Sequence, residues 1–384
     1  MRFLFFPAQY LPTVGGVERY TYNLCKTLTG MGHECTVVTS ALPSLETDEI
    51  AEQIRTVRLP SALMMKGRFP VVKKNKEFIR LIDSVFEKPY DLAVINTRFY
   101  HLSLIAAKLC FKQGLPAVII EHGTKHLSLG NPLLDIFGNL YEHVAIKYAA
   151  KYCSCFFGVS AACRVWLRHF GIKAKGVLFN AVDVDAVAKT ASGSGYDARE
   201  RFSLSETAPL IVFSSRFIKE KGILELLAAF KNFREANPEA VLVMSGDGPL
   251  FAQIENRLPE GVHLTGRLSY SDNLALIGQC DVFLLPTYYP EGFPTVVLEA
   301  AALGLCVITT PVGGCAELIE SGKSGILIEE ATPANIENAL SAVFSDNEFR
   351  KQAGELLREK TKREFSWSRT AASLLEIAAQ NDGV

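Results

Sequence analysis

TYYPEGFPTVVLE, residues 287–299 of a 384-residue chain, places two carboxylates, Glu291 and Glu299, on either side of a Gly292-Phe293-Pro294 turn. The turn opens onto an apolar run with helical patterning. Pro294 suits the first helical position, where a missing N–H costs nothing. The backbone amides of such a start, reaching Thr295, form an anion site. Glu299 then falls about one and a half turns into the helix, within reach of a sugar hydroxyl. A loop carboxylate, an anion-binding helix start and a second carboxylate suit a nucleotide sugar. Taken alone, the stretch reads equally as an exposed glutamate beside an ordinary amphipathic helix.

The surroundings of this stretch favour the first reading. Short apolar strands are expected at Arg2–Phe6, Thr36–Thr39, Leu92–Ile95, Ala117–Ile120 and Cys155–Val159, with helical patterns between them. Pro12 to Gly16 reads as a loop and Val17–Leu28 as a helix. The alternation restarts with strands at Leu210–Ser214, Ala240–Ser245, His263–Thr265, Val282–Leu285 and Val307–Thr309. Strands alternating with helices imply parallel sheets covered on both faces. Ser192-Gly193-Ser194-Gly195 reads as a flexible run near a domain junction. Two doubly wound α/β domains follow, residues 1–185 and 186–365, with a terminal helix from residue 366 to 384.

Composition narrows the class. Apolar residues make up 48% and charged residues 21%, enough for substantial cores. The nine cysteines are scattered and form no C-x-x-C pair, which fits reduced thiols rather than a disulfide framework or zinc site. No apolar run reaches membrane-spanning length, and the apolar start Met1–Phe6 is too short for a signal peptide. A cytoplasmic protein, or one peripheral on the inner membrane face, is expected. The net charge of -1 splits into +7 over residues 1–185 (22 Lys+Arg, 15 Asp+Glu) and -8 over the rest (18 and 26). Lys66, Arg68, Lys73, Lys74, Lys76 and Arg80 cluster among apolar residues at helical spacing, the pattern of a basic amphipathic helix on an anionic membrane. Nucleic acid is not an expected partner, because this segment lacks interleaved aromatics and the second half is acidic.

In open α/β sheets, ligands bind beyond the carboxyl ends of the strands, and several groups of residues fall there. Gly15-Gly16 follows the first strand, where bare backbone can approach a phosphate. Arg216 and Lys221, in SSRFIKEKG, follow the first strand of the second half. Together they could neutralise the charge building on a departing diphosphate, Arg as a fork and Lys as a point charge. Gly246, in SGDGP, and Gly266-Arg267-Leu268 follow the next two strands, as backbone for a phosphate or a base edge or as plain turns. His122, after Glu121, could serve a sugar hydroxyl; the other histidines, His33, His126 and His143 among them, have no comparable setting. Asp183-Val184-Asp185 has the D-x-D spacing of a metal–diphosphate site, but no further acid is placed to complete one.

GGVER, NAVD (Asn180–Asp183), SSRFIKEKG, SGDGP, TGRLS, PEGFPTVVLEA and GLCVITTPVGGCAELI (Gly304–Ile319) occur in the order and spacing of the family 4 retaining glycosyltransferases, which the whole chain resembles. The resemblance implies the GT-B architecture, two Rossmann-like domains facing a central cleft, with a C-terminal helix crossing back to the first domain. It implies that Arg216 and Lys221 hold the donor diphosphate. Glu291 and the amides of Gly292 to Thr295 would hold the donor sugar and phosphate, and Glu299 the ribose hydroxyls. Gly16 would approach the diphosphate, and His122 would contact the sugar. This chain departs from the family's usual N-G-V-D, with Ala181 in place of the glycine. It implies no cofactor or metal, and a saccharide or lipid-linked saccharide acceptor on the basic first domain. A nucleotide-sugar epimerase of the same architecture, or a non-catalytic nucleotide-sugar binding protein, is the alternative.

Overall fold

Phe3, Leu4, Phe5 and Phe6 are entirely excluded from solvent, because a parallel strand covered on both faces has no side for polar residues. In the computed structural model, which describes residues 1–13, 15–43, 45–128 and 131–381, this run is the middle of a sheet. The chain divides into two units: Met1–Asn180 with the helix from Trp367, and Ala181–Ser366. Val14 of the expected first loop and residues 382–384 of the expected terminal helix lie outside the described residues.

In chain order the first unit contains β1 (Arg2–Phe6), α1 (Gly16–Gly30), β2 (Glu34–Ser40), β3 (Asp48–Ala51), β4 (Ile54–Leu59), β5 (Ser61–Met64) and β6 (Phe69–Val72). There follow α2 (Lys76–Phe86), β7 (Leu92–Asn96), α3 (His101–Lys112), β8 (Ala117–Glu121), α4 (Pro132–Ala150), β9 (Phe156–Gly158), α5 (Ala161–Trp166) and β10 (Gly176–Val177). The main sheet runs β10-β9-β8-β7-β1-β2-β4-β3, parallel throughout except for edge strand β3. The order reverses between β1 and β7, so the crevice for a ligand opens beyond Phe6 and Asn96.

The second unit contains α6 (Val184–Ser192), α7 (Ala198–Phe202), β11 (Leu210–Ser214), α8 (Ile223–Ala236), β12 (Val241–Ser245), α9 (Phe251–Ile254), β13 (Val262–Gly266) and α10 (Tyr270–Gly278). It continues with β14 (Val282–Leu285), α11 (Thr295–Ala302), β15 (Cys306–Thr309), α12 (Cys315–Leu318), β16 (Ile326–Leu327), α13 (Pro333–Ser345) and α14 (Asn347–Glu364). Its parallel sheet runs β13-β12-β11-β14-β15-β16, with the reversal between β11 and β14. The last helix, α15 (Trp367–Asn381), belongs to the first unit. There Trp367 packs edge-on against Tyr20 of α1 at 5.4 Å, and Thr370 donates to the Phe179 carbonyl at 3.0 Å.

Two expectations are corrected. The basic segment is not one helix. Ser61–Met64 and Phe69–Val72 pair as an antiparallel hairpin, and α2 starts only after Asn75, whose side chain accepts from the Phe78 N–H at 2.9 Å. Phe78, Leu81, Ile82 and Val85 point into the core, so the apolar face of α2 is not available to a membrane. The Lys66 side chain lies outside the described residues. The Ser-Gly run is not a free linker either. The chain passes between units at Asn180/Ala181. Ser194 is fastened to Asp272 at 2.6 Å, and the Gln279 side chain binds Tyr196 and Ala198 backbone at 2.6 and 2.8 Å.

All nine cysteines are free thiols. Burial pushes those of Cys110, Cys153 and Cys306 up to about 12, which makes them poor nucleophiles. Among the described residues no helix is long and apolar enough to cross a membrane.

Candidate functional site

Ser214 ends β11, and the chain turns through Ser215 and Arg216 into a 3-10 turn, Lys219–Lys221, before α8. The neighbouring strand β14 ends at Leu285 and delivers Thr287 to Gly292 to the same end of the sheet. Here Lys221 Nζ donates to Glu291 Oε1. Lys221 is buried, with 6% of its side chain exposed against 22% for Glu291. A buried ammonium needs a counter-charge, and Glu291 supplies it. The Tyr289 ring lies beneath both cations, 5.1 Å from Lys221 Nζ and 5.7 Å from the Arg216 guanidinium. Arg216 is exposed and has no ion pair among the described residues.

Backbone bonds lock these loops together. The Tyr288 N–H donates to the Glu220 carbonyl at 2.9 Å, and the Phe217 N–H to the Asp247 carbonyl at 2.8 Å. Ser214 and Ser245 hydroxyls both donate to Asn273 Oδ1 at 2.8 Å, which fixes the ends of β11 and β12 from α10. Gly246 adopts φ +138°, and a Cβ there would collide with the Ser215 carbonyl oxygen. The loops thus approach to a distance only glycine allows. The Gly246 N–H donates to the Gly266 carbonyl at 3.0 Å, so Gly266, followed by exposed Arg267 and half-buried Leu268, borders the same edge.

Pro294 is the residue before α11 and not its first helical residue; its ψ of 112° is extended, and the helix begins at Thr295. Gly292 and Phe293 are buried. The Phe293 ring packs on Gly314, where a Cβ would strike it, and edge-on to Phe365 at 5.4 Å. Phe293 is therefore an anchor that aims the loop. Glu299 lies in the second turn of α11 and is 4% exposed.

In the first unit, Gly15 precedes α1 and Gly16 opens it, exposed and with open space around it. The Glu18 carboxylate folds back over Gly15 and burial raises its pKa. A carboxyl side chain already occupies the helix start, the place that favours an anion. His122, beyond β8, packs edge-on to Tyr20 at 4.9 Å. Burial pushes its imidazole down to about 3, so the ring is neutral at physiological pH. Its tautomer follows from a chain of bonds. Thr21 Oγ1 donates to the Val17 carbonyl at 2.9 Å and so accepts from Asn96 Nδ2 at 3.0 Å. Asn96 Oδ1 then accepts from His122 Nε2 at 2.7 Å. Nδ1 is left as an acceptor with no hydrogen-bond partner among the described residues.

Behind His122 lie Glu121 and two charged residues with no sequence signal of their own, Arg98 and Glu142. Arg98, entirely buried, pairs with Glu121 and with Glu142. Glu121 Oε1 also accepts from the N–H groups of His122 and Gly123 at 3.2 and 3.0 Å. The D-x-D pair has ordinary duties. Asp183 caps α6, accepting from the Ala186 N–H at 2.9 Å, and Asp185 meets Lys362 at 3.5 Å.

Known proteins resemble the chain along its whole length. The family description "Glycosyltransferase Family 4" matches residues 14–186, and "Glycosyl transferases group 1" matches residues 197–360. An uncharacterized glycosyltransferase of Methanocaldococcus jannaschii is 21% identical over 390 residues, 98% of each chain. The crystal structure of Anabaena HepE with UDP superposes with a TM-score of 0.76 at 19% identity, covering 99% of this chain and 100% of that one. WaaG, a glycosyltransferase involved in lipopolysaccharide biosynthesis, superposes with a TM-score of 0.66 at 17% identity, over 100% of each chain.

Proposed function

We propose that this chain, which belongs to the family 4, group 1 glycosyltransferases and has their GT-B fold, moves a hexose from a nucleoside diphosphate sugar to an acceptor hydroxyl with retention of anomeric configuration. The observation that carries the reading is the Lys221–Glu291 pair at the β11/β14 reversal, with Arg216 beside it.

In this reading the donor diphosphate lies against Arg216 and Lys221. As the bond from the sugar C1 to the phosphate oxygen breaks, negative charge builds on that oxygen. Two cations held by fixed loops stabilise it without reorganising. The positive end of α11, approached through Gly292 to Thr295, adds to the same field. Glu291 orients Lys221 and accepts from donor-sugar hydroxyls. Glu299 accepts from the ribose hydroxyls, and Gly246, Gly266, Arg267 and Leu268 border the nucleotide. Taken by itself, the first unit offers bare backbone at Gly16, beside a Gly15 covered by the Glu18 carboxylate, as a group suited to phosphate, and His122 Nδ1 as an acceptor suited to a sugar hydroxyl. The acceptor oxygen bonds to C1 on the face the phosphate leaves, and its proton passes to the departing phosphate oxygen. The two cations take the part a divalent metal plays in other transferases, so no metal enters this step.

A lipid-linked saccharide is the proposed acceptor. Leu134, Ile136, Phe137, Leu140 and Val144 of α4 are all more than half exposed, and an apolar surface of this kind on one helix suits a lipid boundary. Beside it, Lys74, Lys108 and Lys112 line a groove of about 430 Å³ with Tyr141 and Val144. HepE was also solved with UDP-glucose and WaaG is involved in lipopolysaccharide biosynthesis, which favours a uridine diphosphate hexose and a lipid-linked acceptor.

The test is a thermal-shift screen against nucleotide sugars, followed by product analysis with and without acceptor. A ligand that binds only the folded state must raise its melting temperature. One base and one sugar should stand out, and the product should keep the donor's anomeric configuration. Conversion of the donor alone would identify an epimerase. Donor binding without turnover under any acceptor would identify a binding protein.

A further inference from the structure

His126, His143 and His169 come from three separate elements: the loop after β8, helix α4, and a 3-10 turn at Leu167–Phe170. Their ring nitrogens nonetheless lie within 4.8 Å of one another. His126 Nε2 and His169 Nε2 are 3.2 Å apart. Two imidazole nitrogens on one tetrahedral zinc, each about 2.0–2.1 Å from the metal, stand roughly 3.3–3.4 Å apart. We propose that these three histidines form a binding site for a first-row divalent transition metal of the zinc class, with water at the fourth position.

The surroundings are built for a cation. His126 Nδ1 donates to Glu142 Oε2 at 2.9 Å, which turns the Nε2 lone pair outward toward His169. A carboxylate behind a ligating histidine is the arrangement that fixes ring and tautomer in metal sites. Glu142 is itself held, by Arg98 and by the Leu127 N–H at 2.8 Å. The buried group Arg98, Glu121 and Glu142 sums to one negative charge, and a cation on His126 compensates it. His169 stacks flat on Trp166 at 4.7 Å and 6°, which restricts the ring. The His143 ring centroid lies 5.5 Å from that of His126 and 5.0 Å from that of His169, so its nitrogen closes from within 4.8 Å to roughly 3.4 Å when a metal binds. The metal would tie the loop that carries His122 and His126 to α4, and this role does not depend on the reading of the second unit.

The experiment uses the full chain, dialysed against chelator and then titrated with Co²⁺ under anaerobic conditions. The expected result is one Co²⁺ per chain with the intense visible absorption of a tetrahedral site, displaced by one Zn²⁺. His143→Ala and His169→Ala should each weaken binding by at least tenfold, and His33→Ala, distant in the fold, should not. Zn²⁺ should raise the melting temperature of the wild type and not of His143→Ala. His169 is exposed, so its variant folds even if His126 or His143 variants do not. Weak absorption of an octahedral ion, unchanged in His143→Ala and His169→Ala, would overturn the site and leave the imidazoles merely hydrogen-bonded to each other.

Discussion

Lys221 and Glu291 are ion-paired across the loops that leave β11 and β14, and the lysine is the more deeply buried partner. That asymmetry predicts different costs for losing either side. Glu291→Gln leaves a buried ammonium without its counter-charge, while Lys221→Ala leaves a carboxylate that water can reach. We expect Glu291→Gln to cost about 2 kcal/mol, roughly 4–8 °C in melting temperature, and Lys221→Ala clearly less. Both should lower turnover by more than tenfold. Saturating nucleoside diphosphate should restore more stability to Glu291→Gln, since its phosphates supply the missing charge. Near-normal turnover in Lys221→Ala would remove its leaving-group role.

His122 gives a pH signature. Unfolded, a histidine takes up its proton near 6.5; folded, this one resists until about 3. Between those values the unfolded chain binds the extra proton. Stability due to His122 is therefore fully present above 6.5 and lost as pH falls toward 3, at no more than about 1.4 kcal/mol per pH unit. His122→Gln keeps a donor toward Asn96 and removes the titration. Its melting temperature should fall less steeply between pH 7 and pH 4.5 than that of the wild type. Parallel curves would show that the ring is not held neutral.

The strands were legible because buried parallel strands are continuous apolar runs, as at Phe3–Phe6 and Leu210–Phe213. The meeting of the second unit's loops was legible because Arg216, Lys221, Gly246 and Glu291 all follow strands of one parallel sheet, whose carboxyl ends share an edge. The basic segment misled because charge and apolar spacing continue across a hairpin and a helix. Gly67, Pro70 and the cap Asn75 were the signals that divide it. The PEGF motif announced a role for the Phe293 amide but not for its ring, which Gly314 and Phe365 hold. The histidine trio left no trace in the sequence, because its members meet only after α4 and the turn at Leu167–Phe170 fold against the loop beyond β8.

The α4 surface makes a prediction about membranes. Phe137 and Leu140 are 69% and 62% exposed, so replacing them removes little from the core. Phe137→Asp with Leu140→Asp should leave the melting temperature within about 1–2 °C, as surface substitutions do. Sedimentation with phosphatidylglycerol vesicles should fall at least fivefold. Transfer to a soluble acceptor analogue should persist while transfer to a lipid-borne one declines. Unchanged sedimentation would separate α4 from any membrane role.

The last prediction concerns metal in the transfer step. If Arg216 and Lys221 carry the diphosphate charge, Asp183 and Asp185 have nothing to hold. Asn caps helices as well as Asp does, so Asp183→Asn keeps the bond from Ala186. Asp185 meets Lys362 on the surface, where such pairs contribute at most about 1 kcal/mol. The double variant Asp183→Asn, Asp185→Asn should therefore turn over donor within twofold of wild type, with no gain from added Mg²⁺ or Mn²⁺. Asp183→Ala should cost about 1 kcal/mol in stability through the lost cap, with turnover retained. A rate that requires Mg²⁺ in the wild type and collapses in the Asn pair would reassign the diphosphate from the cations to a metal on these two aspartates.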